Sequence, residues 1–159
     1  LESYWKKIKK GYNMSSSTDN YKDNVVWPLF SKYIRMRDCW ETKKSFEYGV
    51  CCSCGKTFAY RDLEAGHFLP GRNNAYLFYE KGVHAQCTNC NCYLDGNRVG
   101  YERFLIHKYG TEEVEFQKAL HWKTKKFTLQ ELKDLKKEII AKIKDLTINS
   151  SFNNLNIET

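Results

Sequence analysis

From Val26 the chain repeats apolar residues near helical spacing. In VWPLFSKYIRMRDC, Trp27, Phe30 and Ile34 set the period, with Leu29, Tyr33 and Met36 near the same face and Lys32, Arg35 and Arg37 on the other. Pro28 is tolerated because the first turn of a helix needs no N–H. Between Val50 and Cys90 the runs shorten. FAYRDLEAGHF and YLFYEKGVHAQC read as antiparallel strands joined by LPGRNNA, which is full of turn residues. After Cys90 the helical period returns, with Val99, Phe104, Leu105 and Tyr109 near one face and Gly110 as a stop. Thr111 caps EEVEFQKALHW, whose Glu112 and Glu113 suit the positive end of the helix dipole. TLQE, Thr128 to Glu131, is a capping box ahead of Leu132, Leu135, Ile139 and Ile143.

The ends are different in kind. SYWKKIKKGYN, Ser3 to Asn13, interleaves lysines with Tyr4, Trp5, Ile8 and Tyr12 and could form a short helix. MSSSTDN reads as a polar linker, and TINSSFNNLNIET as a frayed tail. No internal repeat is visible. The resulting division is a basic N-terminal segment and linker over 1–25, a core with its preceding helix over 26–110, a C-terminal helical hairpin over 111–147 and a flexible tail over 148–159. The 159 residues amount to one domain with an appendage.

Lys and Arg number 26 against 19 for Asp and Glu, a net charge of +7. Such an excess suits a polyanion, nucleic acid or an acidic membrane surface, though it equally serves solubility. No apolar run approaches the roughly 18 residues a membrane span requires. No signal peptide is expected, and the sequence opens on Leu1 rather than Met, as a trimmed fragment does. Seven cysteines make an odd number, and four of them form two Cys-x-x-Cys pairs. That pattern suits metal-bound thiolates in a reducing cytoplasm better than a disulfide framework.

Cys51 with Cys54, and Cys87 with Cys90, have the spacing of a four-thiolate zinc site. Cys52 and Cys92 leave the register open, since each could replace a neighbour. Gly55 directly after Cys54 favours the Cys51 register, because a knuckle needs a positive φ there. Cys39 is expected to be buried and inert. Zinc with four sulfurs has no open position, so it holds structure and the chemistry must lie elsewhere.

Between the knuckles, EAGHFLP places His67 at a strand end before a turn, and Asn91 directly follows the second knuckle. A neutral imidazole can take a proton from water near neutral pH. An asparagine carbonyl is a hard oxygen suited to Mg²⁺. Around one small cavity the two describe metal-assisted phosphodiester hydrolysis, with Asn91 opening a helix whose N-terminal end faces the phosphate.

In this order and spacing, SYWKKIKK, FSKYIRMRD, CCSCGK, EAGHF, VHAQCTNCN, LDGN, YERFLIHKYG and TLQELK resemble the zinc-stapled HNH nucleases, and more narrowly the phage NinG (Rap) recombination family. The resemblance implies an α+β fold with a small ββα-metal (HNH-like) core, a four-cysteine zinc knuckle pair and flanking N-terminal and C-terminal helices. It implies an endonuclease acting on branched recombination intermediates, Holliday junctions included, or on single-stranded DNA, in the cytoplasm of a bacterial host. His67 would be the general base and Asn91 a ligand of Mg²⁺ or Mn²⁺. Gly82 stands where the family's middle asparagine braces the loop, and Gly66 where many members carry a metal-binding side chain. Glu64 is the candidate second ligand. His84 either helps hold phosphate or metal, or packs. Asp95 could face the metal or cap a turn, and His107 and His121 suit packing or surface roles.

Lys6, Lys7, Lys9, Lys10, Lys32, Arg35, Arg37 and Arg72 could line a phosphate path, with Tyr4 and Trp5 stacking on bases. Resolving a junction takes two cuts, hence a homodimer, yet no segment reads as its seam. Two rival readings stand beside the nuclease: a non-catalytic zinc module that binds DNA junctions, and a protein-interaction domain using the aromatic helices.

Overall fold

The computed structural model describes residues 17–70 and 75–155. Lys6, Lys7, Lys9, Lys10 and Arg72, and the segment expected to form a short N-terminal helix, lie outside the described residues. Helix α1, Ser17–Tyr21, runs through a π-helical turn, Lys22–Val26, into α2, Trp27–Lys43. Pro28 sits in the first turn of α2, and Lys44 ends the helix at a left-handed φ of 53°, donating its N–H to Trp40 O. Strand β1, Tyr48–Val50, pairs antiparallel with β2, Thr57–Ala59. Strand β3, Leu63–His67, pairs antiparallel with β4, Val83–Cys87, in the register Leu63↔Cys87 to His67↔Val83. A π-helical turn, Asn89–Tyr93, follows, then α3 (Arg98–Tyr109), α4 (Thr111–His121) and α5 (Leu129–Leu155).

Among the described residues the result is a mixture of helices and two small two-stranded sheets. Both long strands expected from the sequence are shorter than their apolar runs. The 3-10 turns Tyr60–Asp62 and Glu80–Gly82 interrupt them, and the aromatic run before Glu80 packs inward as a turn instead, with Tyr76 and Leu77 buried. Asn91 likewise lies in the π-helical turn rather than at the start of a regular helix, which waits until Arg98.

Every residue of β4 is buried, because the β3–β4 hairpin is covered on both faces. Val83 joins Val26, Phe30 and Ile34 of the α1–α2 unit and Leu132 and Ile139 of α5 in one core. On the opposite face His84 meets Tyr101, Phe104 and Tyr109 of α3. A second core of Phe68, Tyr101, Leu105 and Val114 ties α3 to α4.

The C-terminal elements correct the expected hairpin. α4 packs on α3, whereas α5 crosses the molecule to α2, because the apolar stripe of Leu132 and Ile139 matches Phe30 and Ile34. The stretch expected to fray continues α5 to Leu155. Its hydroxyl residues bond back along the helix, Thr147 Oγ1 donating to Lys144 O (2.7 Å) and Ser150 Oγ to Thr147 O (2.7 Å). Among the described residues no helix is long and apolar enough to cross a membrane.

Candidate metal centre and adjoining cleft

The β1–β2 hairpin turns through the first cysteine pair. Cys51 N–H donates to Lys56 O and Gly55 N–H to Cys51 O, both at 2.9 Å. Gly55 takes φ +71°, a conformation that strains any side chain. β4 ends at Cys87, and the π-helical turn after it carries Cys90. The four sulfurs of Cys51, Cys54, Cys87 and Cys90 lie within 4.8 Å of one another. A tetrahedral zinc with metal–sulfur bonds of about 2.3 Å has sulfur–sulfur edges of about 3.8 Å. The donor set therefore fits a metal ion such as zinc after a small contraction.

Cys52 and Cys92 are outside this set. Cys52 donates its backbone N–H to Ala85 O (2.9 Å) while its side chain joins the Phe68–Tyr101 core. Cys92 is exposed beside Glu64. Asn97 Nδ2 donates to Cys90 Sγ (3.3 Å), linking the sulfurs to the turn that precedes α3. That turn carries three consecutive left-handed residues, Asp95, Gly96 and Asn97. Gly100 then brings α3 against the first knuckle, where a Cβ would lie 2.2 Å from Ser53 O.

Beside the sulfurs is a cleft of about 250 Å³ whose lining includes Trp27, His67, Phe68, Asn91, Asp95 and Arg98. His67 Nε2 is 2.9 Å from Leu77 O. A carbonyl only accepts, so Nε2 carries a proton; in the neutral ring the lone pair is then on Nδ1. The ring stacks on Trp27, centroids 5.0 Å apart and planes 13° from parallel. Asn91 Nδ2 donates to Glu64 Oε2 (2.6 Å), which turns Oδ1 toward Gly66. Glu64, expected as a ligand, thus orients the amide and does not line the cleft. Asp95 pairs with Arg98 at 3.3 Å.

Gly82 is braced without a side chain of its own. A Cβ there would meet Tyr76 Oη at 2.2 Å, so tyrosine fills the space. Tyr76 Oη donates to Gln117 Oε1 (2.8 Å) and Tyr101 Oη to Gly66 O (2.8 Å), while Phe68 N–H donates to Gly82 O (2.9 Å). The backbone on either side of His67 is therefore tied to α3 and α4.

His84 lies away from the cleft, fully buried. Its Nδ1–H donates to Asp38 Oδ2 (2.9 Å), and Tyr109 Oη lies 3.2 Å from Nε2. Arg37 belongs to the same network, bonded to Asp38 Oδ1 (2.8 Å) and to the carbonyls of Glu80 and Val83. It is consumed in joining α2 to β4 and is not available to a phosphate. Arg35 is half-buried, its guanidinium 4.5 Å over the Tyr60 ring, whereas Lys32 is exposed. Trp27 and Arg98 were missed as cleft residues. Arg98 had a local signal, following the Asp-Gly-Asn turn just after Asn91. Trp27 had none, because it reaches His67 from a distant helix.

A four-cysteine metal centre set in short antiparallel sheets and packed helices defines a small α+β protein that can hold a structural metal. The chain belongs to the NinG family: the family model described as the bacteriophage lambda NinG protein matches residues 5–149. It is similar to protein ninG of Escherichia phage lambda and of Salmonella phage P22, each 36% identical over 97 residues, covering 60% of this chain and 47% of theirs. Protein ninG of Escherichia phage 933W is 34% identical over the same length. The chain spans about half the length of the curated relatives it matches. No solved structure matches it.

Proposed function

We propose that the protein is a divalent-metal-dependent endonuclease of the HNH type, acting on branched or single-stranded DNA in phage recombination, with a structural zinc at the four cysteines. The observation that carries this reading is the convergence of His67, Asn91 and Arg98 on one cleft beside the sulfur cluster. His67, with Nε2–H committed to Leu77 O, would take a proton from water at Nδ1 as that water's oxygen bonds to phosphorus. The P–O3′ bond breaks in the same displacement, leaving a 5′ phosphate and a 3′ oxygen that is protonated from solvent. Asn91 Oδ1 would hold Mg²⁺ or Mn²⁺, which neutralises charge on the phosphate and the departing oxygen. Arg98, half exposed at the mouth of α3, suits a flanking phosphate.

The test is cleavage of a four-way junction, a single strand and a plain duplex by wild type, His67→Ala and Asn91→Ala, with and without Mn²⁺ or Mg²⁺, at equal zinc content. Metal-dependent cutting that falls by about 10²-fold or more in His67→Ala supports the nuclease. Tight junction binding without cutting by any of the three puts a non-catalytic junction-binding module in its place. If Asn91→Ala loses zinc and fold together, Asn91 is a structural cap.

A further inference from the structure

Gln86 is fully buried on β4, on the face of the hairpin that also carries Glu64 and Gly66. Its Nε2 donates to Gly96 O (2.7 Å) and to Ser53 Oγ (2.6 Å). The Gly96 carbonyl can only accept, so it fixes which end of the amide is nitrogen. The other end is left over: among the described residues, Gln86 Oε1 is the one buried side-chain nitrogen or oxygen with no hydrogen-bond partner. It is aimed over Gly66, where an added Cβ would lie 1.9 Å from it.

The same Cβ would lie 2.9 Å from Asn91 Oδ1. Asn91 is fixed in the same manner, since a carboxylate of Glu64 takes its Nδ2–H. Two amide oxygens, each turned by an acceptor on its nitrogen end, thus converge over a residue without a side chain. Two carbonyl dipoles with their negative ends together repel, and a buried acceptor without a donor is costly. A cation between them removes both penalties.

We propose that Gln86 Oε1 and Asn91 Oδ1 together seat a divalent cation over Gly66, beside the cleft that Asn91 lines, Gln86 being its second protein ligand because Glu64 is engaged with the Asn91 amide nitrogen. This rests on the functional reading given above. Both ligands are neutral hard oxygens, so the seat takes Mg²⁺ or Mn²⁺ and rejects soft ions. Neither ligand cancels the ion's charge. The free site therefore binds metal weakly, and a DNA phosphate tightens it by completing the shell with negative oxygen.

The experiment is a Mn²⁺ titration of the zinc-loaded protein, followed by electron paramagnetic resonance of the free ion. It compares wild type, Asn91→Ala, Gln86→Ala and the double variant Gly66→Asp/Gln86→Ala, each first checked for zinc content. Gln86→Ala is expected to weaken Mn²⁺ binding by about tenfold or more. The double variant is expected to regain it, because removing Gln86 leaves Asn91 Oδ1 as the nearest neighbour of a Cβ at position 66, and the new carboxylate returns an oxygen to the seat. Unchanged affinity in Gln86→Ala, with loss in Asn91→Ala, overturns the role of Gln86 and leaves the nuclease reading standing. Loss in Gln86→Ala without recovery in the double variant also overturns it, since Gln86 would then act only by holding the Gly96 turn. Wild type that binds no Mn²⁺ at millimolar concentration, with or without single-stranded DNA added, sinks both.

Discussion

Asp38 decides where three other groups point. Its Oδ1 takes the Arg37 guanidinium, and its Oδ2 accepts from His84 Nδ1–H and from Ala85 N–H (2.7 Å). Burial works against its charge, but the His84 ring and the Arg37 guanidinium outweigh burial and hold the carboxyl well below the usual range. Burial pushes His84 down, against the pull of Asp38. Both groups therefore bind protons more readily in the unfolded chain, and stability rises with pH through each window. Lowering pH should cost stability first below about 6.5, as unfolded His84 takes up a proton, and again below about 4, as unfolded Asp38 does. Urea unfolding midpoints at pH 7, 5.5 and 4 measure this, and a flat profile from 7 to 5.5 contradicts the assignment of a neutral buried His84. Asp38→Ala, which strands a buried guanidinium, should cost about 3–5 kcal/mol in the same assay. None of this was legible from VHAQC alone. A histidine near two cysteines leaves chemistry and packing both open until the α2 residues packed against it are known.

Gly100 shows the same dependence on partners one level up. α3 can lie on the first knuckle only because position 100 has no side chain, and the obstacle to one is the Ser53 backbone, which cannot swing aside. Gly100→Ala should lift the start of α3, carrying Arg98 and the Asp95–Asn97 turn away from His67. The expected cost is about 1–3 kcal/mol of stability and, on the proposed nuclease reading, a fall in cleavage larger than any fall in zinc content. Equal zinc and undiminished cleavage would show that the start of α3 is not coupled to the site. Elements set by local chemistry were legible beforehand. Thr128 N–H donates to Glu131 Oε2 (2.8 Å) and Glu131 N–H to Thr128 Oγ1 (3.2 Å), the reciprocal cap that TLQE announces. The cysteine spacing likewise announced the sulfur cluster. The β1–β2 hairpin was not legible, because TFA is too short to show a period of two. The partner of α5 was hidden for another reason: an apolar stripe says that a helix packs, not against which neighbour.

For the whole molecule, charge is the property that composition conveys and structure refines. The excess of seven positive charges does not translate into seven free contacts, since Arg37 is spent internally and Arg35 in part. Binding to a DNA junction should weaken as salt rises, the logarithm of affinity falling linearly with the logarithm of salt concentration. A slope near zero would remove nucleic acid from the list of partners and favour a protein-interaction role. Arg37→Gln should leave the slope unchanged while lowering stability; a shallower slope would place that guanidinium on the DNA. The four sulfurs come from the two ends of a single stretch, Cys51 to Cys90, which also contains His67. A metal there acts as a removable clasp on everything the stretch encloses. Metal supply would then govern how many folded copies a cell contains, and not the pace of any one copy. Scarcity would act as a reduced dose, with the clasp-less chains left to the cell's proteases.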